Sequence, residues 1–411
     1  MSVDTASRAA ESVARRSYGK LVAALAVRSR NIAAAEDALG EALLRAIIDW
    51  RRNGVPANPE GWLITTARRI DADRWRRAVT AAKGAEHWML QEDERLSGAS
   101  FEIPDDRLRL LFVCAHPAID SAMHTPLMLQ VVLGIDARRI ASAFLVSPST
   151  MGQRLSRAKA RIAESGLRFE LPEREHVGPR TGAVLTAVYG AYSLGWDLAF
   201  SSGEQGRNLV DEALWLMRLM VEIAPDNSEA LALLALGLFA HARQAARRDP
   251  ETLAYVPLGD QDPALWDARL LAEAEETLRR AGTRGAPGRF GYEAAIQAVH
   301  VARRQTGLTD WSAIEHLYRG LLSCSPTLGA MIGHAVAVAE IDGPEPGIRL
   351  LDEIPQDRSR FYQPYWAARA HLHERRGSER EAAVAYDTAI ALTEDAAARR
   401  YLLDHRAGLT A

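Results

Sequence analysis

The chain has 411 residues, 48% of them hydrophobic, and a formal net charge of −3. A chain of this length and composition is expected to form two or three domains with packed cores, which excludes a largely disordered protein. Two cysteines, far apart in sequence, exclude a disulfide framework and indicate a reducing compartment, so a cytoplasmic protein is expected. We find no secretory signal pattern, and the apolar stretch 183–200 carries too many polar residues for a membrane span, so we expect no membrane association.

The charge is unevenly distributed along the chain. Residues 1–170 carry 25 Lys and Arg against 20 Asp and Glu, whereas residues 171–411 carry 25 against 33. A net positive half can approach a polyanion such as a nucleic acid, and a net negative half would be repelled by one. The two halves are therefore expected to have different partners.

The first part of the chain reads as helices. Residues 8–52 show the apolar periodicity of two or three helices. After a break, Asn58 and Pro59 form a cap and a first-turn proline, which predicts a helix from Pro59 to about Arg77. This helix carries five arginines with Trp75 among them: Arg68, Arg69, Arg74, Arg76 and Arg77. Rings that stack on bases and guanidinium groups that pair with phosphates suit single-stranded nucleic acid, although the same pattern fits a solvated helix surface.

A linker and a pair of short helices follow. Residues 79–104 are rich in Ala, Gly, Ser and charges and predict a linker. An apolar helix is predicted over 105–119, and another is predicted to begin at Thr125 and Pro126. A short helix at 136–144 then precedes a second one from Pro148 to Ile162. This arrangement predicts a helix-turn-helix, whose second helix presents its side chains to the major groove of DNA.

The second of these helices has two distinct faces. Met151, Leu155, Ala158 and Ile162 share the face that is predicted to pack. The predicted DNA-contacting residues are Ser149, Thr150, Gln153, Arg154, Arg157 and Arg161. Together with Lys159, the arginines are expected to neutralise phosphates.

These motifs, in this order, resemble an extracytoplasmic-function sigma factor of bacterial RNA polymerase. The matching segments are the helix at 35–43, the helix that begins at Asn58, the linker and the helix-turn-helix that ends near Arg161. The resemblance covers residues of about 15–165. It implies a region-two-like domain at 8–78 and a region-four-like domain at 105–168, separated by the linker.

The resemblance also implies a role for each segment. The helix around Glu36, Asp37 and Glu41 would dock on the coiled coil of the largest subunit of the polymerase core. The helix-turn-helix would read the −35 element of the promoter DNA. The helix from Asn58 to Arg77 would open and hold the −10 element, through Asn58, Trp62, Arg68, Arg69, Arg74, Trp75 and Arg77.

The chain departs from the family at two positions. Gly40 stands where the docking helix of the family usually has glutamine, which removes a polar contact and weakens the helix. Leu145 occupies the turn position where helix-turn-helix units favour glycine, because a positive φ is often needed there. The first departure predicts altered affinity for core polymerase, and the second predicts strain or a different turn.

Residues 169–411 predict a helical-repeat extension that resembles tetratricopeptide repeats. Trp366, Gly377, Ala382, Tyr386 and Ala389 have the spacing of that pattern. Steps of roughly 34 residues back from Ala382 lead to Gly347 and Ala313, followed four residues later by Leu351 and Leu317. A further copy is predicted at Ala213, Met217 and Met220, and residues 247–263 are predicted to form a loop.

Such an array offers a surface to a protein partner or to its own chain, or it stabilises the first half by stacking on it. The whole chain resembles sigma factors with a tetratricopeptide-like C-terminal extension, which is thought to regulate activity in that group. The net charge of residues 171–411 also suggests that the extension folds against the basic half.

No set of residues predicts catalysis. His371 and His373 point in different directions on a helix, and Cys114 with His116 lacks an orienting acid. We therefore expect an all-α sigma factor that is not an enzyme and needs no cofactor or metal. The alternative is a stand-alone helix-turn-helix regulator whose repeat domain senses a ligand or a protein.

Overall fold

A computed structural model describes residues 3–82, 106–144, 146–170, 174–201 and 204–409. Within these ranges the chain consists of α-helices, short 3-10 turns and one isolated β-bridge between Arg248 and Tyr255, without any strand. The predicted all-α fold is therefore confirmed. The chain divides into two compact units, Met1–Ser193 and Leu194–Ala411.

The first unit is built around the long helix at its N-terminus, which packs against the second to fifth helices. The segments predicted as separate domains, 8–78 and 105–168, both contribute to this one unit. Its helices are α1 (Val3–Ser29), α2 (Ile32–Asn53), α3 (Pro59–Ala82), α4 (Arg107–Cys114), α5 (Ser121–Val131), α6 (Ala137–Ala143), α7 (Pro148–Glu164) and the first part of α8 (Arg174–Ser201).

Side-chain caps determine where several of these helices begin. As predicted, α3 begins at Pro59, and the side chain of Ser147 accepts a hydrogen bond from the Thr150 amide at the start of α7. The predicted start of α5 at Thr125 and Pro126 is wrong. That helix begins four residues earlier, because the Asp120 carboxylate caps it by accepting from the Ala122 amide.

The second unit is an array of helices. They are the last turns of α8 together with α9 (Glu204–Ile223), α10 (Ser228–Ala242), α11 (Ala268–Gly282), α12 (Arg289–Thr306), α13 (Trp311–Cys324), α14 (Leu328–Asp342), α15 (Pro344–Asp352), α16 (Gln356–Ser359), α17 (Gln363–Arg376), α18 (Glu379–Leu392) and α19 (Ala396–Gly408). Each helix from α9 to α14 packs against the next, and so do α17, α18 and α19. Residues 247–263 form 3-10 turns and extended segments, as the loop prediction required.

The repeats are helix pairs, and their register differs slightly from a fixed 34-residue step. The pairs are α12 with α13, α14 with α15, and α17 with α18. The fourth residue of each second helix is buried against its neighbours: Ile314, Gly347 and Ala382. The expectation of Ala313 at this position is therefore wrong by one residue, because the intervals are 33 and 35 residues. Gly377 ends α17 in a left-handed conformation that favours glycine.

Candidate functional site

Helix α7 separates a buried face from an exposed one. Met151, Leu155, Ala158 and Ile162 are buried, as their spacing predicted. Ser149, Gln153, Arg154, Arg157 and Arg161 are exposed on the opposite side. Thr150 is half-buried, and its hydroxyl lies 2.8 Å from that of Ser147. The buried stripe therefore fixes which residues of this helix another molecule can reach.

The exposed arginines of α7 are not neutralised within the described part of the chain. Arg154, Arg157 and Arg161 form no ion pair and no side-chain hydrogen bond there. Their guanidinium groups are thus available to phosphate oxygens. Lys159, which was expected to neutralise phosphates together with the arginines, is engaged within the protein. Its ammonium group lies 2.6 Å from a carboxylate oxygen of Glu36, because residue 159 borders the buried stripe.

Helix α3 gives part of the predicted strand-binding set structural tasks. The Asn58 side chain caps the helix by accepting from the Gly61 amide at 2.9 Å. The half-buried Trp62 ring packs edge-on against the buried Trp50, with centroids 5.5 Å apart. Arg69 is exposed and Arg68 is half-buried. The side chains of Trp75 and Arg77 lie outside the described residues, as does Leu145.

Arg74 of α3 contacts the acidic residues of α2. Its Nη2 atom lies 3.0 Å from Oε2 of Glu41, and its Nη1 atom lies 3.8 Å from Oδ2 of Asp37. A residue predicted to contact DNA is thus held beside residues predicted to contact polymerase. All three side chains are well exposed, so the ion pairs are weak and exchangeable.

Glu36 lies apart from Asp37 and Glu41. Its carboxylate faces inward to Lys159, whereas the side chain of Asp37 is 73% exposed. Burial raises the pKa of the Tyr18 hydroxyl, and the negative charges of Glu36 and Asp37 raise it further. The predicted docking set is therefore divided between an interior position and an outer surface. Gly40, one turn beyond Glu36, is exposed and has open space around it.

Two residues that the sequence interpretation missed lie on the outer surface of α2. Leu44 and Ile48 are 65% and 58% exposed. They follow Asp37 and Glu41 at helical spacing and so share one face with them. We call Asp37, Glu41, Leu44 and Ile48 the α2 outer stripe. The signal was present in the sequence, because Leu44 and Ile48 fall away from the buried stripe that contains Leu39 and Trp50.

The second unit carries a cavity. A cavity of 420 Å³ lies among α15, α17 and α18 and is lined by residues that include Trp366, Arg369 and Arg380. His373 is buried and bonded to Arg376, so it does not pair with His371. Among the described residues no three His, Cys, Asp or Glu side chains are grouped so as to hold a metal ion. No described helix has the length and apolarity needed to cross a bilayer.

Comparisons with known proteins give a relative without an assigned activity. A protein of Rhizobium meliloti (strain 1021), "Uncharacterized protein R00370", is 36% identical over 389 residues, which cover 92% of this chain and 91% of the relative. Residues 180–282 match a family described as "Family of unknown function (DUF6596)". This match begins within α8 and ends with α11. No solved structure matches the chain.

Proposed function

The chain belongs to the same family as the Rhizobium meliloti protein, and we propose that it is a sigma factor that directs bacterial RNA polymerase core to specific promoters. Its C-terminal extension would regulate this activity, and the protein would act in the cytoplasm. The protein would act by binding and would not catalyse a reaction. Arginines would contact phosphates, α7 would select bases, and the exposed face of α2 would hold the polymerase.

The observation that carries the proposal is the exposed face of α7. Three guanidinium groups that have no partner among the described residues share the exposed face with Gln153, on a helix whose other face is buried. Cations that already have carboxylate partners would have to break those pairs before they could bind phosphate. The free arginines position a duplex, and Gln153 with Ser149 offers hydrogen bonds to base edges in the major groove.

The α2 outer stripe supports a protein partner for the same unit. Exposed leucine and isoleucine side chains on one helix face gain free energy when a partner covers them, and the flanking carboxylates favour a partner with basic residues. The sequence resemblance implies that this partner is a coiled coil of the polymerase core. Exposed Arg69 on α3 and the half-buried Arg68 support the capture of a melted strand near the same partner.

The extension supports a regulatory role through its surface. Its cavity is lined by the Tyr365 and Trp366 rings, by Arg369, which pairs with Asp352, by Arg380, which has no ion pair among the described residues, and by the Glu381 carboxylate. A segment of another protein, or of this chain, that carries apolar side chains beside an acidic one fits the two rings and Arg380.

In vitro transcription tests the proposal. Purified core polymerase is incubated with the protein and fragmented genomic DNA of the source organism, and the RNA 5′ ends are sequenced. We expect discrete start sites that require the protein and share an upstream sequence. No protein-dependent transcript, combined with specific duplex binding by the protein alone, would instead support a stand-alone regulator.

A double variant tests the docking surface. Leu44→Ala with Ile48→Ala should weaken binding to core polymerase about tenfold or more, because two exposed apolar contacts are lost. Leu308→Ala is the matched control, since Leu308 is 79% exposed in the second unit. Equal affinity of both variants and the native protein would exclude the α2 outer stripe as the polymerase site.

A further inference from the structure

The contact between Glu36 of α2 and Lys159 of α7 joins two residues that are 123 positions apart in sequence. The two side chains are only 17% and 11% exposed, so the ion pair is largely withdrawn from water. Screening by salt is weak for such a pair, and the loss of either partner leaves an uncompensated charge in a poorly hydrated position. The contact is therefore a specific element of the arrangement of α2 and α7.

A buried cysteine of the same unit can report whether this arrangement is closed. The Cys114 thiol at the end of α4 is fully buried, and burial raises its pKa. The charges of Lys159 and Glu36 both act on this thiol. Because the Cys114 side chain has no exposed surface, its reaction with an alkylating reagent requires the first unit to open.

The ion pair connects the two surfaces on which the proposed function depends. Glu36 belongs to the segment that the resemblance assigns to polymerase docking, and Lys159 belongs to the helix with the free arginines. While α7 lies on α2, the Glu36 carboxylate is occupied and cannot meet a basic residue of a partner. Once α7 moves away, both charges regain hydration and neither requires the other.

We propose that the Glu36–Lys159 ion pair is an autoinhibitory latch that holds α7 against α2 until core polymerase replaces Lys159 with one of its own basic side chains. This inference rests on the proposed function. Docking on the α2 outer stripe and release of Glu36 would then be coupled, so that α7 becomes free to reach promoter DNA only on the polymerase. The new ion pair between Glu36 and the polymerase offsets the loss of the Glu36–Lys159 pair, because one charged pair is exchanged for another.

The latch is tested with Lys159→Met in the full-length protein, in which Cys324 is replaced by Ser so that Cys114 is the single thiol. In this variant Glu36 has no cationic partner while α7 lies on α2. This closed arrangement is therefore destabilised relative to the one in which α7 has moved away. We expect the rate of Cys114 alkylation to rise at least about fivefold, and the affinity for core polymerase to rise by a similar factor. Lys159→Arg retains the pair and should behave as the native residue does.

A second variant guards against a general loss of folding. Glu36→Gln breaks the same pair from the other side, and combining it with Lys159→Met should raise Cys114 alkylation no further than either change alone. Circular dichroism and urea unfolding check that all variants are folded.

The possible failures are distinguishable. Unchanged alkylation and unchanged polymerase affinity in Lys159→Met would overturn the latch and leave the proposed function intact. Faster alkylation in a protein that binds no core polymerase in any form would overturn the proposed function, and with it the role of the latch in docking.

Discussion

Gly19 of α1 lies directly against the backbone carbonyl of Val132 at the end of α5. A Cβ atom at Gly19 would lie 1.7 Å from that oxygen, far inside van der Waals contact. The helix that carries the N-terminal segment and the helix that precedes the helix-turn-helix pair are thus in backbone contact. Together with Glu36 and Lys159, this contact explains why two segments with separate predicted roles share one compact unit.

Gly19→Ala should destabilise the first unit. The added methyl group cannot be accommodated by rotating a side chain, because its neighbour is backbone, so α1 and α5 must separate. We expect a loss of at least about 2 kcal/mol in the free energy of unfolding, measured by urea denaturation. Gly40→Ala is the control, since Gly40 has open space around it and the change should stabilise α2 by roughly 0.5–1 kcal/mol. Equal effects at both positions would contradict the close contact.

Local patterns predicted the secondary structure and the two faces of α7, since periodicity and caps depend on neighbours within one helix. The Ser147 cap and the buried stripe from Met151 to Ile162 are examples. Long-range contacts could not be predicted in the same way. Lys159 borders the buried stripe and could face either solvent or protein, and only the position of Glu36 decides between them.

The repeat register shows a second limit of sequence-based prediction. A fixed step identified the correct second helices, but it selected Ala313 where Ile314 is buried. Helix pairing tolerates turns that differ by a residue, because each pair packs mainly on its immediate neighbours. Leu44 and Ile48 were missed for another reason: their spacing places them away from the buried stripe of α2, but single exposed apolar residues are common on protein surfaces, so the pattern alone did not mark a contact surface.

Arg157→Ala should weaken use of the upstream promoter element without affecting the fold. Arg157 is exposed and has no intramolecular partner within the described residues, so the free energy of unfolding should change by less than about 0.5 kcal/mol. Loss of one guanidinium contact should lower transcription from a matched promoter about tenfold, measured by run-off assay. Arg304→Ala, at an exposed arginine of α12, should leave transcription unchanged. Equal activity of both variants would exclude the α7 face as the reading surface.

Glu229 ties the start of α10 to the start of α12. Its carboxylate accepts hydrogen bonds from the amides of Gly288, Phe290 and Gly291 at 3.1, 2.9 and 3.0 Å. Glu229→Gln would direct an amide N–H group at one of these donors, so we expect the second unit to lose about 1–3 kcal/mol in urea unfolding. Glu222→Gln, at an exposed position of α9, should change it by less than about 0.5 kcal/mol. A similar value for both variants would show that the three bonds contribute little.

His300 should make the second unit sensitive to acid. Burial lowers the pKa of His300 to about 4, with further lowering by the charges of Arg243 and Arg303, so the folded state keeps the ring neutral. The unfolded chain binds a proton below its ordinary pKa of about 6.5, so stability is fully present above that pH and falls as the pH drops toward 4. From about pH 7.5 to pH 5 this group alone should cost roughly 1–2 kcal/mol.

His300→Phe keeps the edge-on ring contact with Trp311 and removes the titration. The free energy of unfolding is measured in urea at both pH values. Between them we expect the variant to lose roughly 1–2 kcal/mol less than the native protein loses. His316→Phe, at an exposed position of α13, is the control for replacing a histidine ring by phenylalanine. Parallel pH profiles for His300→Phe and the native protein would show that the His300 ring is not held neutral in the folded state.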